Sequence, residues 1–174
     1  MSKKLSVTIF CVMLAVAMPA QAENTFQIIK DEMTDAQRGI AAINLSGKIT
    51  PIVKCDTNGP GSIYISLLSK EYLGQTVSRY GSGANRDAKF RFDGAEPYTV
   101  SASYNGRTAN IFDLKLGTPG ARILTDMLTS RRMVIELTDF HYASVSDAFD
   151  LGDSADVIKK AVQACQDTSL NLGN

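Results

Sequence analysis

The sequence contains no tryptophan, one histidine (His141) and three cysteines in 174 residues. A serine, histidine and carboxylate site would have to use His141, with Asp139 and Ser144 near it in sequence, but such sites are defined by geometry and not by adjacency. Nitrogen and sulfur metal centres need three or four ligands, which one histidine cannot supply once Cys11 leaves and Cys55 and Cys165 pair, as expected below. The acidic stretch KDEMTD at 30–35 lacks the glycine and closing glutamate of a calcium loop and reads as a solvated turn. Gly81, Gly83 and Gly94 do not open a helix after a strand, as a phosphate cradle requires. No catalytic residue, metal ligand or cofactor is therefore expected, and the chain is read as non-enzymatic. Charge of one sign is also lacking, with 18 basic and 18 acidic residues. That balance argues against nucleic acid as a partner and against attraction to an anionic membrane surface.

Long apolar runs are scarce as well. The only candidate, Leu5 to Ala17, follows Lys3 and Lys4 and precedes Pro19 and the small-residue site Ala20-Gln21-Ala22. It is shorter than the roughly 20 residues that span a bilayer and has the order of a secretory signal peptide. Residues 1–22 are read as that signal, with cleavage between Ala22 and Glu23, and residues 23–174 as one exported, periplasmic domain without a transmembrane segment. Cys11 leaves with the signal. Loss of Lys3 and Lys4 leaves sixteen basic against eighteen acidic residues.

Cys55 and Cys165 remain. Two thiols in an exported chain permit one intramolecular pairing, and a disulfide between them is the expectation; two unpaired buried cysteines and a reactive thiol are the alternatives, although no CxxC pattern supports the last. A closed loop of ~110 residues would stabilise by about 4–5 kcal/mol on a chain-entropy model.

What the sequence does have is alternation. Tyr98, Val100, Ala102 and Tyr104 share one face of PYTVSASY; SIYISLL, RMVIELT and KFRFD alternate in the same way. Asn105-Gly106 marks a hairpin. Helical spacing occurs twice. Thr118 and Pro119 open a segment whose apolar residues Ile123, Leu124, Met127 and Leu128 run towards Arg131 and Arg132. Asp153 or Ser154 opens a second, with Ile158, Ala161, Val162 and Cys165 on one stripe. About nine short strands with one inserted and one C-terminal helix make the fold class α+β, mainly antiparallel β, as a sandwich-like or strongly curved sheet. Arg79, Tyr80, Arg91 and Tyr98 could form a binding patch on the solvent face, a composition found at interfaces; ordinary solvated strand residues are the simpler reading.

The order of these segments resembles a known family. A strand ending in Cys55, then SIYISLLSKEYLG, TVSRYGSG and AKFRFD, a helix before RMVIEL, and DAFDLGDSADVIKKAVQAC follow the arrangement of the VasI/TagO-like periplasmic proteins linked to type VI secretion. The resemblance spans about residues 26–166 and rests on Cys55, Arg79 or Arg91 with Asp93, Phe149 with Gly152, and Cys165. It implies a non-catalytic periplasmic accessory or binding protein of a secretion or cell-envelope system, with another envelope protein or a cell-wall component as partner. SASYNGRTA at 101–109 is similar to the serine-alanine-serine-glycine loop of small periplasmic lysozyme inhibitors. That similarity implies the alternative, an inhibitor of a lysozyme-type cell-wall lytic enzyme.

Overall fold

Alternating side chains let strands such as Arg86–Phe92, Tyr98–Asn105 and Arg132–Thr138 bury one face, whereas the edge strand Thr25–Lys30 has no buried residue. The computed structural model describes residues 23–30, 32–56, 63–74, 85–112, 114 and 117–164. Its strands are β1 (Thr25–Lys30), β2 (Gln37–Ala42), β3 (Ile49–Asp56), β4 (Tyr64–Ser69), β5 (Arg86–Phe92), β6 (Tyr98–Asn105), β7 (Thr108–Ile111), β8 (Arg132–Thr138) and β9 (Ser144–Asp150). Helix α1 (Pro119–Thr129) is inserted between β7 and β8, and α2 (Ser154–Ala164) closes the described chain. All neighbouring strands are antiparallel in the order β1-β2-β3-β4-β7-β6-β5-β8-β9. The fold is the expected α+β class built on antiparallel sheet.

The sheet is strongly curved. Asp147 of β9 accepts hydrogen bonds through Oδ2 from the backbone N–H of Ile49 at 2.9 Å and from Asn44 Nδ2 at 3.1 Å, so the last strand returns to the start of β3. Asn24 fastens the same seam by donating to Leu151 O and to Asp153 Oδ1. The inner face holds a continuous core that includes Val53, Ile65, Phe90, Tyr104 and Ile135, and both helices add to it through Ile123, Leu124, Met127, Ile158 and Val162.

Local sequence explains the details. Pro51 lies within β3, where a missing N–H would ordinarily break an inner ladder. It is tolerated because β2 ends at Ala42 and Asn44 turns away at φ 57°, while Pro51 O still accepts from Ile43 N. The β6–β7 hairpin forms where Asn105-Gly106 predicts it, but Asn105 pairs with Thr108, so the central residues are Gly106 and Arg107. Gly106 supplies the positive φ of 63° at the first central position.

Helix α1 starts as expected, with the Thr118 hydroxyl accepting from Ala121 N. It ends earlier than the sequence suggests. Ser130 N closes the last turn onto Asp126 O, and Arg131 and Arg132 leave the helix because their N–H groups bond the Asp93 carboxylate. In α2 the stripe Ile158, Ala161, Val162 is buried as predicted. Its first residue does not cap it: the Ser154 hydroxyl is buried without a hydrogen-bond partner, and Asp153 Oδ1 is bonded to Asn24. The backbone of α2 passes so close to β2 that a Cβ on Gly39 would collide with the Ala161 carbonyl.

Candidate functional site

Large apolar side chains outside the core are exposed at several places, among them Ile28, Met33 and Phe112, and three aromatic ones gather at one end of the sheet. Loop 70–74 follows β4 and the turn 139–143 joins β8 to β9. Between them they expose Tyr72 (50%), Phe140 (50%) and Tyr142 (86%), with His141 also exposed. The Tyr72 and Phe140 rings meet edge to face at 5.4 Å, and Phe140 lies 3.7 Å from the His141 ring. Such pairs stabilise beyond their buried area, yet three large rings still face water.

The cluster is braced from below. Arg86 donates from Nη1 to Thr138 O and Asp139 O and from Nη2 to Leu73 O, and its guanidinium stacks 3.9 Å over the Tyr104 ring. One arginine thus joins both aromatic loops, and its planar fork suits several carbonyls at once. Tyr104 donates a hydrogen bond from its hydroxyl to Asp87 O, and burial holds that phenol above its usual pKa. Gly74, at φ 86°, lets the chain pass Phe140, since a Cβ there would sit 2.6 Å from the Phe140 Cβ. Asp139 Oδ1 accepts from the backbone N–H groups of His141 and Ala143, each at 2.8 Å. The turn holds Tyr142 at φ 64°, a left-handed conformation that costs a residue with a Cβ about 1–2 kcal/mol.

Charged side chains of both signs stand at this end as well. Lys70 N bonds Lys48 O, and the N–H groups of Ser69 and Leu73 bond Arg107 O and Gly106 O, which sets Lys48, Lys70 and Arg107 around the aromatic loops. All three side chains are exposed, and Glu71, Asp87, Asp139 and Asp147 are the carboxylates at the same end. The turns at the other ends of the strands, 32–36 and 93–97, carry Glu32, Asp35, Asp93 and Glu96.

Of the residues that the sequence suggests for a patch, Arg79 and Tyr80 lie outside the described residues, and the structure does not bring the other two together. Phe90 pairs with Tyr98, so Tyr98 shares the inner face while Arg91 points outward from β5. Arg91 bonds Ala95 O and Gly94 O and so fixes the β5–β6 turn. Tyr98 packs on Phe90 and Phe92, lies under Arg122 at 4.0 Å, and donates to Asp126 Oδ2 at 2.8 Å. Burial, then the Asp126 bond, push its pKa far above the usual phenol value. Tyr98, Arg122 and Asp126 line a cleft of about 460 Å³ beside α1. Asp93, from the family resemblance, clamps the start of β8; Phe149 is buried and Gly152 turns the chain at φ 51°. SASYNGRTA forms β6, a tight turn and β7 rather than a protruding loop.

Cys55 is buried opposite Gly39, with its sulfur 3.9 Å from the Val162 carbonyl oxygen. Cys165 and residues 1–22, Cys11 and Ala22 among them, lie outside the described residues; the Glu23 carbonyl accepts from Leu45 N. The carboxylate of Asp139 addresses the backbone of its own turn. Among the described residues no group of three or more His, Cys, Asp or Glu could hold a metal ion, and no helix is long and apolar enough to cross a membrane.

Sequence reading misses the aromatic end because its rings lie about 70 residues apart in the chain, roughly the spacing at which only a fold can unite them. The available signal is DFHY at 139–142, three aromatic side chains in a row where a turn should be polar. No family model, curated protein or solved structure matches this chain.

Proposed function

We propose that this chain is an exported, non-catalytic binding protein of the cell envelope that works through its aromatic end. The observation that carries the reading is the brace: Arg86 holds two separate loops so that Tyr72, Phe140 and Tyr142 stay exposed, one of them in a strained conformation. Exposed apolar groups on rigid supports, with backbone strain beside them, are features of recognition surfaces. The partner is an envelope protein or a cell-wall component. An accessory role in a type VI secretion system is the narrower form of the proposal, supported by the segment order over residues 26–166.

The proposal includes periplasmic location, cleavage before Glu23, and a Cys55–Cys165 disulfide. The pairing is supported by the state of Cys55, which is disulfide-bonded, and by the placement of Val162, three residues before Cys165 in sequence, beside the Cys55 sulfur. Intact mass of the exported protein should fit a chain that begins at Glu23 and is two hydrogens lighter than the dithiol. A mass that retains residues 1–22, or two thiols open to labelling, would refute these parts.

Retention tests the binding role. Washed envelope material, containing membranes and cell wall, should hold the exported protein, and Phe140→Ser with Tyr142→Gly should release most of it while the circular dichroism spectrum stays unchanged. Equal retention of both forms, or retention of neither, would show that the aromatic end is not a binding surface.

A further inference from the structure

Among the described residues the sheet ends in β1 on one side and β9 on the other, and the two end strands are built differently. β9 is guarded. Its Asp147 points inward, where Ile49 N and Asn44 Nδ2 take up the carboxylate, and Ser144, Ser146 and Asp150 stand along it; inward charges of this kind keep sheet edges from pairing with other chains. β1 has no such device. Its pairing with β2 is one to one from Thr25 to Lys30, so no bulge twists it away, and it contains no proline. Its single charge, Lys30, stands at the strand end and is held by Asp35 at 2.7 Å. Ile28 and Ile29, on opposite faces, are 54% and 47% exposed. We infer that β1 pairs antiparallel with β1 of a second copy of this chain and joins the two sheets edge to edge in a two-fold dimer.

The backbone of β1 specifies what covers it. Successive residues of an antiparallel ladder address opposite neighbours. Ile43 N bonds Pro51 O on β3, so Ala42, Ile40 and Arg38 address β1 and take up Thr25, Gln27 and Ile29. The Glu23 carbonyl, which accepts from Leu45 N, fits the same alternation. Phe26, Ile28 and Lys30 therefore turn their N–H and C=O groups away from β2. These three residues are symmetric about Ile28. With Ile28 opposite Ile28 of the second copy, Phe26 meets Lys30 and every outward group of β1 has a partner. The two Ile28 side chains then meet on the side of the sheet that carries α2, where Gly39 pairs with Ile28 and faces Ala161, and Ile29 meets Gln27 on the other face. The two Lys30 residues stand at opposite ends of the ladder, about 13 Å apart at the usual strand rise, so like charges do not meet. A head-to-tail pairing of β1 with β9 would build open fibres, and the guarded β9 opposes it. Six residues a side at about 35 Å² each bury about 400 Å² in all, short of the ~1,200 Å² of a stable interface, so the dimer is weak and reversible.

Sedimentation equilibrium of the exported protein over about 10 µM to 1 mM, the range of weak association, provides the test. The weight-average mass should rise from that of one chain towards that of two, and no higher. Ile28→Pro removes an outward N–H and leaves the bonds to β2 in place, as proline does on a free edge; it should keep the circular dichroism spectrum and stay monomeric throughout. Ile28→Val, which keeps the N–H and the branched side chain, should associate as the parent does. Amide exchange of the unmodified protein supplies a second readout that needs no variant. Raising the concentration should slow exchange by a few fold at Phe26, Ile28 and Lys30 and leave Gln27 and Ile29, already bonded to β2, unchanged. A single-chain mass at every concentration, a dimer that Ile28→Pro leaves intact, or added protection away from those three amides overturns the inference. If the protein stays monomeric but Ile28→Pro releases it from washed envelope material, the edge takes a strand of another protein and the self-pairing falls.

Discussion

Gly39 shows how much of this fold depends on one missing side chain. It faces the Ala161 carbonyl across a gap that no Cβ can enter, and it pairs across the ladder with Cys55. The close approach of α2 to β2 is what brings Val162 beside the Cys55 sulfur. Gly39→Ala should therefore push α2 outward and destabilise the protein by about 2 kcal/mol, the scale of overpacking a tight core. A denaturant titration measures it, and an unchanged midpoint would mean that α2 yields without loss. No pattern in the sequence marks Gly39 as different from the loop glycines, because the constraint comes from a helix more than 110 residues later, at the length scale of a whole domain.

Among the elements, the helices and inner strands were legible because their periodicities are strong. YTVSASYN and RMVIELT keep their alternation through the whole strand, and α1 and α2 keep their stripes. Boundaries were less legible where a distant group decides them, as the Asp93 carboxylate does by taking Arg131 and Arg132 out of α1. The side of the sheet was the other hidden variable: period two puts Tyr98 and Phe90 on one face each, but only the register between β5 and β6 makes it the same face and separates Tyr98 from Arg91. Tyr98 then ties β6 to α1 through Asp126 and Arg122. Its folded pKa lies above the ordinary value of 10, so its contribution is complete below about pH 10 and is lost as pH rises beyond it. Alkaline unfolding should begin in that range, and Tyr98→Phe should be less stable at neutral pH but lose less between pH 10 and 12. A variant with the same alkaline slope as the parent would assign the effect elsewhere, with Tyr104, also raised by burial, the next candidate.

At the scale of the whole molecule the curvature of the sheet is held by few polar contacts. Asp147 points inward from β9 and accepts from Ile49 N and Asn44 Nδ2. Asp147→Ala would leave a strand-end N–H without its acceptor and should lower stability by about 2 kcal/mol, with an amide-exchange increase at Ile49 ahead of the sheet centre. Exchange that rises evenly through the sheet would show that the seam does not open by itself. The aromatic end also belongs to this scale, since Arg86 can join Leu73 to Thr138 only after β4 has been brought into one sheet with β5 and β8, across β7 and β6.

The meeting of Asn24 with Leu151 and Asp153 fixes an order of events during synthesis. A chain made from its N-terminus has β1 to β4 complete long before α2 exists. Until residues 154–164 arrive, Ala41, Val53 and Cys55 face water on an uncovered apolar sheet. Closure is thus a C-terminal event, and a chain arrested before Ser154 presents the kind of surface that chaperones hold and proteases find.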